Sequence, residues 1–276
     1  MRDLRAILLF AAISLVMVPA ATLAIPSTNF YEEQGEIFDD WDVCRTRAFG
    51  EDGFFQAFSE TEFCPIIVAE SLGDNADSAY QIGQQLAKEY PNLGQRAERI
   101  FAFARDKIRY TSDVDQFSFE EFAQNADEVA ATLEDEGLAY GDCEDYAIFL
   151  AVMYKGADFR AAIVLTPDHA AALVYLPGYE KANVSLSIDG EPGWVWAEAT
   201  GGNNPLGWMP ERFMGEKLGA YEVEDEAITA AGLPSKSPTT VTKSGGGTRI
   251  HIYPFVGVIA FMLLLPLLLP LFRRRR

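Results

Sequence analysis

Positive charge is scarce in this chain of 276 residues, with 22 Lys and Arg against 41 Asp and Glu and a net charge of -19. That balance argues against nucleic acid or an anionic membrane surface as a partner, since both carry the same sign. Histidine is scarcer still. Of the two, His251 lies at the edge of an apolar run, so His169 is the single imidazole of any soluble domain. There are three cysteines, Cys44, Cys64 and Cys143. In an oxidising compartment Cys44 and Cys64 would be able to pair and leave Cys143 as an odd thiol, which in an exported protein flags reactivity. A buried, inert cysteine is the alternative. No internal repeat is evident.

Charge is absent altogether from two long runs. Residues 6–25 follow Arg2 and Arg5 and suit a secretory signal peptide, with 22–24 as a small-residue cleavage site, or an N-terminal membrane helix. Residues 252–272 are long enough to span a bilayer and end in four arginines at 273–276, a basic cytoplasmic tail. Both basic flanks place the strongly acidic segment between them outside the cytoplasm, at the cell membrane.

Within that segment, residues 26–77 show few periodic signals and read as an irregular N-terminal region. Residues 77–109 carry two helical patterns broken at Pro91, and 117–136 a further helical stretch. Gly137 and Gly141 loosen the chain before a helix from Asp142 to Gly156, whose apolar residues fill most of its circumference. After it the period changes. Residues 161–166, 170–176, 184–188 and 194–199 predict short antiparallel strands packed on that helix, an α+β arrangement. Residues 233–249 are rich in Pro, Ser, Thr and Gly and read as a flexible linker to a transmembrane helix at 250–272.

The stretch GDCEDYA at 141–147 sets Cys143 among Asp142, Glu144 and Asp145. If the helix starts there, Asp142 is its N-cap and Asp145 its N3 residue, a capping-box variant that accounts for the acids structurally. Cys143 then sits at N1, where free N–H groups lower a thiol pKa while the carboxylates raise it. With His169 opening the next antiparallel unit and Glu198 on a later strand, the set supplies a nucleophile, a base and a group to orient the base. The N–H of Cys143 would contribute to an oxyanion hole. Asp168 and Asp189 are alternatives for the third role, Asp168 the weaker because strand neighbours face opposite ways.

GDCEDYA, followed by DHAAALV at 168–174 and WVWAEAT at 194–200, resembles the transglutaminase-like superfamily, and RDKIRYTSD at 105–113 is similar to the segment leading into its core. The resemblance covers roughly residues 78–213 of a catalytic domain at 78–232. It implies a papain-like core in the order Cys helix, His strand, Asp strand, with Glu198 standing where the family places aspartate. It also implies that Asp142, Glu144 and Asp145 bind calcium, as the acidic residues flanking the cysteine do in similar bacterial transglutaminase-like cysteine proteases. Capping and calcium binding remain compatible.

The expected function is that of a membrane-anchored extracytoplasmic cysteine protease, a hydrolase acting on a protein or peptide substrate through an acyl-enzyme on Cys143. Transamidation and an inactive membrane-tethered scaffold are the alternatives. Asn183-Val184-Ser185 is a glycosylation sequon, and Trp194, Trp196 and Trp208 suit either a substrate groove or strand packing.

Overall fold

The computed structural model describes residues 27, 29–59, 62–72, 78–166, 168–214, 218–223 and 239–244. The apolar runs at 6–25 and 252–272, and the basic tail, lie outside them. Among the described residues no helix is long and apolar enough to cross a membrane.

Residues 26–77, expected to be irregular, instead contain a five-stranded sheet in the order β1 (Phe30–Glu33), β2 (Glu36–Asp39), β3 (Cys44–Gly50), β4 (Gly53–Ser59) and β5 (Glu62–Cys64), followed by the short helix α1 (Ile66–Glu70). The strands are too short and too polar on their outer face for a periodic signal to stand out. Arg45, fully buried, fastens this sheet to the rest: it donates to Asp39 at 2.7 Å, to Glu128 at 2.8 and 3.1 Å, and to the carbonyl of Ala123 at 2.9 Å. A buried cation with this many acceptors is satisfied, whereas removal of one partner would strand a charge. Cys44 and Cys64 are both buried and free, so the pairing considered above is not formed.

Four helices follow, three of which pack against a fifth. α2 (Ser78–Glu89) has its first N–H groups capped by Asp127, which accepts from Ser78 and Ala79 at 3.0 and 2.9 Å. Pro91 ends that pattern as expected, and Asn92 caps α3 (Leu93–Lys107) through the N–H of Gln95. A short α4 (Asp113–Gln116) leads into a loop, because the helix expected from 117 begins only at Ala126. Asn125 and Glu128 close a capping box there, and Phe117, Phe119 and Phe122 cluster with one another ahead of it. α5 (Ala126–Glu136) ends at Gly137 with φ 78°, a left-handed cap rather than a loosened chain.

Gly141 lies in β7 (Ala139–Gly141), which pairs in parallel with β6 (Ile108–Tyr110) and delivers the chain to α6 (Cys143–Gly156). α6 is buried along almost its whole length, so it is apolar all round. Its closest neighbour is α2: a Cβ on Gly83 would overlap the backbone of Met153, and one on Gly156 the backbone of Tyr80. Replacing Gly83 with alanine therefore forces the two helices apart. The expected cost is ~1–3 kcal/mol, read as a melting temperature lower by several degrees in thermal unfolding, with the propensity gain of alanine too small to offset it.

The strands after α6 form the expected antiparallel set: β8 (Ala161–Thr166), β9 (His169–Tyr175), β10 (Ser185–Ile188) and β11 (Glu191–Ala197). They do not stop as an open sheet. β12 (Gly219–Glu222) pairs with β8, and β13 (Thr239–Ser244) joins β12 to β10, closing a barrel in the order β10-β11-β9-β8-β12-β13. Residues 239–244, read as linker from their composition, are thus a strand. Alternation sorts the side chains. Ile163, Leu165, Ala172, Val174, Val195 and Ala197 join the core around α6, while Val164, Leu173, Trp194 and Trp196 fill the barrel.

Candidate active site

β8 runs toward the end of the barrel at which β9 begins, and β11 runs toward it as well. The N-terminus of α6 is at that same pole: the backbone N–H of Ala170, next to His169, donates to the thiol of Cys143. His169 continues the barrel-facing side of β9 with Ala171 and Leu173. Glu198 continues the matching side of β11 just past Ala197. The two therefore meet, Nε2 of His169 against Oε2 of Glu198; Glu198 is buried, and the His169 side chain keeps 9% of its surface exposed.

Every group around this pair is fixed. The imidazole stacks on Phe213 with centroids 5.2 Å apart and planes 7° from parallel, and Phe213 packs in turn on Trp196. The second carboxylate oxygen of Glu198 accepts from the N–H of Thr200 at 3.1 Å and from its hydroxyl. Asn204 donates to the Glu198 carbonyl. The alternatives for the third role lie elsewhere. Asp168 is exposed beside Thr166, and Asp189 is exposed in the turn between β10 and β11. Thr200, Asn204 and Phe213 were not legible as site residues, since each acts through a contact that only the closed barrel creates.

With Nε2–H given to the carboxylate, Nδ1 is the nitrogen left to take a proton. The thiol it would serve is held in check. Burial, and after it the charge of Asp142, push the Cys143 thiol up to about 12, against the Ala170 N–H that favours the thiolate. The thiol donates to Glu144 Oε2 at 3.3 Å.

The carboxylates beside Cys143 have separate roles. Asp145 is committed to structure: Oδ1 accepts the N–H of Gln124 at 2.8 Å, and Oδ2 accepts the Gln124 amide at 2.8 Å and the N–H of Asp142 at 3.2 Å, the return half of the expected capping box. Asp142 and Glu144 are joined by two acids the motif does not contain, Asp113 from α4 and Glu121 from the loop after it. Their oxygens lie within 4.8 Å of one another in overlapping sets, Asp113 with Asp142 and Asp145, and Asp113 with Glu121 and Glu144. Asp113 Oδ1, Asp142 Oδ1 and Glu144 Oε1 are buried with no hydrogen-bond donor. Desolvation, reinforced by the neighbouring acids, raises the buried Asp113 carboxyl and that of Glu121, which keeps an exposed surface, to about 7 and drives the buried Glu144 and Asp145 well above the usual carboxylate range.

Such a group of oxygens is relieved either by sharing protons or by binding a hard cation, and the donor set fits calcium. Asp113, Glu121, Asp142 and Glu144 would hold it, with Asp145 supporting the loop. Sequence spacing linked the acids of 142–145 but gave no reason to link them to 113 and 121.

The sequon asparagine is already engaged: Asn183 donates to the carbonyl of Met209 at 3.0 Å and accepts its N–H at 2.9 Å. Trp194 and Trp196 are barrel core and Trp208 is exposed. A cleft of about 570 Å³ lined by Leu93, Phe159, Tyr175 and Tyr179 lies at the far end of β9 and α6, away from the thiol.

A thiol at the N-terminus of a buried helix, touching a strand whose first residue is an imidazole paired with a carboxylate, is an arrangement suited to cysteine-based catalysis. Residues 80–210 match the model of the transglutaminase-like superfamily, and this part of the chain is a domain of that superfamily. No curated protein matches the chain.

Proposed function

We propose that the protein is an extracytoplasmic thiol hydrolase, held at the membrane by residues 252–272, that cleaves a peptide or isopeptide bond through an acyl-enzyme on Cys143. The observation that carries the reading is the His169–Glu198 pair at the strand end whose next N–H, that of Ala170, contacts the Cys143 thiol. The carboxylate fixes Nε2–H, so Nδ1 accepts the proton of Cys143 as sulfur attacks the carbonyl carbon. The N–H of Cys143, first in α6 and without an intrahelical partner, faces the developing oxyanion. Nδ1–H then protonates the departing amine, the C–N bond breaks and a thioester remains. Water, deprotonated by the same imidazole, releases the acid.

A cation among Asp113, Glu121, Asp142 and Glu144 would cancel the charge that opposes the thiolate. The reading therefore predicts alkylation of Cys143 that depends on cation and on His169. With calcium the thiol titrates below the ~8.5 of a free cysteine; with chelator, or in His169→Ala, it moves upward and reacts slowly at neutral pH. The measurement is the pH profile of iodoacetamide incorporation at Cys143, read by mass spectrometry. A thiol indifferent to both changes identifies an inert cysteine and a tethered scaffold. A product carrying an added primary amine identifies transamidation instead of hydrolysis.

A further inference from the structure

The barrel register fixes where the chain leaves it. β13 is antiparallel to β10 and to β12, with Ser185 opposite Ser244 and Gly219 opposite Thr240. Since Gly219 pairs with Leu165 near the end of β8, β13 runs toward the pole that holds His169 and Glu198. It ends there at Ser244, and seven residues separate it from the uncharged run that begins at 252. Seven residues span ~25 Å at most.

The other end of the chain approaches the same region. The N-terminal uncharged run stops at Ile25, with four residues between it and Phe30. The Phe30 ring lies 6.0 Å from that of Phe122, whose N–H donates to Asp113 at 2.6 Å. The N-terminal strand thus starts beside the acidic cluster next to Cys143.

Exposed apolar side chains follow suit. Of the seven large ones exposed among the described residues, Leu93 alone is at the far pole. Phe30 packs on Phe122, Tyr31 next to it in β1 stacks on Phe38, Tyr110, Val114 and Tyr140 lie on the segments that lead into α6, and Trp208 adjoins Asn183 where β10 begins. Half-exposed aromatics gathered on one face suit the headgroup layer of a bilayer. The acids on that face oppose anionic lipid, so a neutral surface is the one it fits.

We infer that the catalytic pole faces the membrane, so that the substrate of the thiol site is a membrane-proximal peptide segment presented at the headgroup level of a neutral bilayer. The inference rests on the membrane-anchored reading but not on the chemistry of Cys143. A freely diffusing substrate would gain nothing from this orientation; one anchored in the same bilayer would be held at high effective concentration.

The test uses the full chain with Cys143→Ala, reconstituted in phosphatidylcholine vesicles that carry a rhodamine lipid. A donor dye is placed on Asn203→Cys, in the exposed loop after Glu198, or on Leu93→Cys at the far pole. The two poles of a domain this size stand ~30–40 Å apart, so transfer from position 203 is expected to exceed that from 93 about twofold. Equal transfer or the reverse order overturns the inference while leaving the thiol reading untouched. A chain that stays in the aqueous phase overturns both the orientation and the anchored reading.

Discussion

His169→Ala is expected to lower the rate at which Cys143 is acylated by an activated ester by ~10³-fold or more, since on the proposed mechanism it removes the group that takes the thiol proton. Glu198 separates positioning from charge. Glu198→Ala frees the imidazole to rotate and to exchange tautomers, and its loss approaches that of His169→Ala. In Glu198→Gln the amide oxygen still accepts Nε2–H, so the ring keeps its orientation and only the stabilisation of the imidazolium is lost. A smaller fall, ~10–10²-fold, follows. Stopped-flow release of p-nitrophenol in the first turnover reads both. If the alanine and glutamine variants lose equally, the carboxylate acts through charge alone. If neither loses, Glu198 belongs to the Thr200 turn and another group orients His169.

The serial order of Cys143, His169 and Glu198 is enough to name three side chains that the fold brings to one pole. The reason is local. The cysteine is marked by its helix start and the histidine by its rarity, and each later strand repeats the alternation that decides which side chains face inward. What escaped the sequence depends on non-local pairing. Arg45 looks like any surface arginine until Asp39, Glu128 and the Ala123 carbonyl close on it. Residues 239–244 have the composition of a linker and become a strand because β10 and β12 both offer an open edge. Asp113 and Glu121 are drawn beside Asp142 by the β6–β7 pairing and the Phe122 loop, contacts with no signature in spacing. Conversely, Asp145 matches the acidic motif but spends both oxygens on Gln124 and Asp142.

The carboxylate cluster makes stability depend on pH and cation in opposite directions. In chelator the Asp113 and Glu121 carboxyls have folded pKa values of about 7, raised from 3.8 and 4.5 by desolvation first and the neighbouring acids after it, Asp113 as a buried residue that carries most of the stability effect and Glu121 as one whose surface stays exposed. The stability these groups contribute is therefore present in full below the lower values and is lost as pH rises toward 7. The melting temperature of the chelated protein falls between pH 5 and pH 8. Calcium competes with protons for the same oxygens, so its stabilisation grows over that interval. At a hundredfold excess over its dissociation constant it contributes ~2.7 kcal/mol, or ~5–10 °C for a chain of this size. Calorimetry of the full chain at pH 5, 6, 7 and 8, with calcium or chelator, reads both trends. Asp113→Asn keeps an acceptor for the N–H of Phe122 and removes one buried charge. Its chelated form is expected to melt higher than wild type at pH 8 and to lose most of the calcium response. A variant that retains the full response would place the cation, if any binds, on Asp142 and Glu144 without help from α4. A wild type whose melting temperature climbs with pH in chelator would mean that these carboxyls ionise freely and that the cluster has no need of a cation.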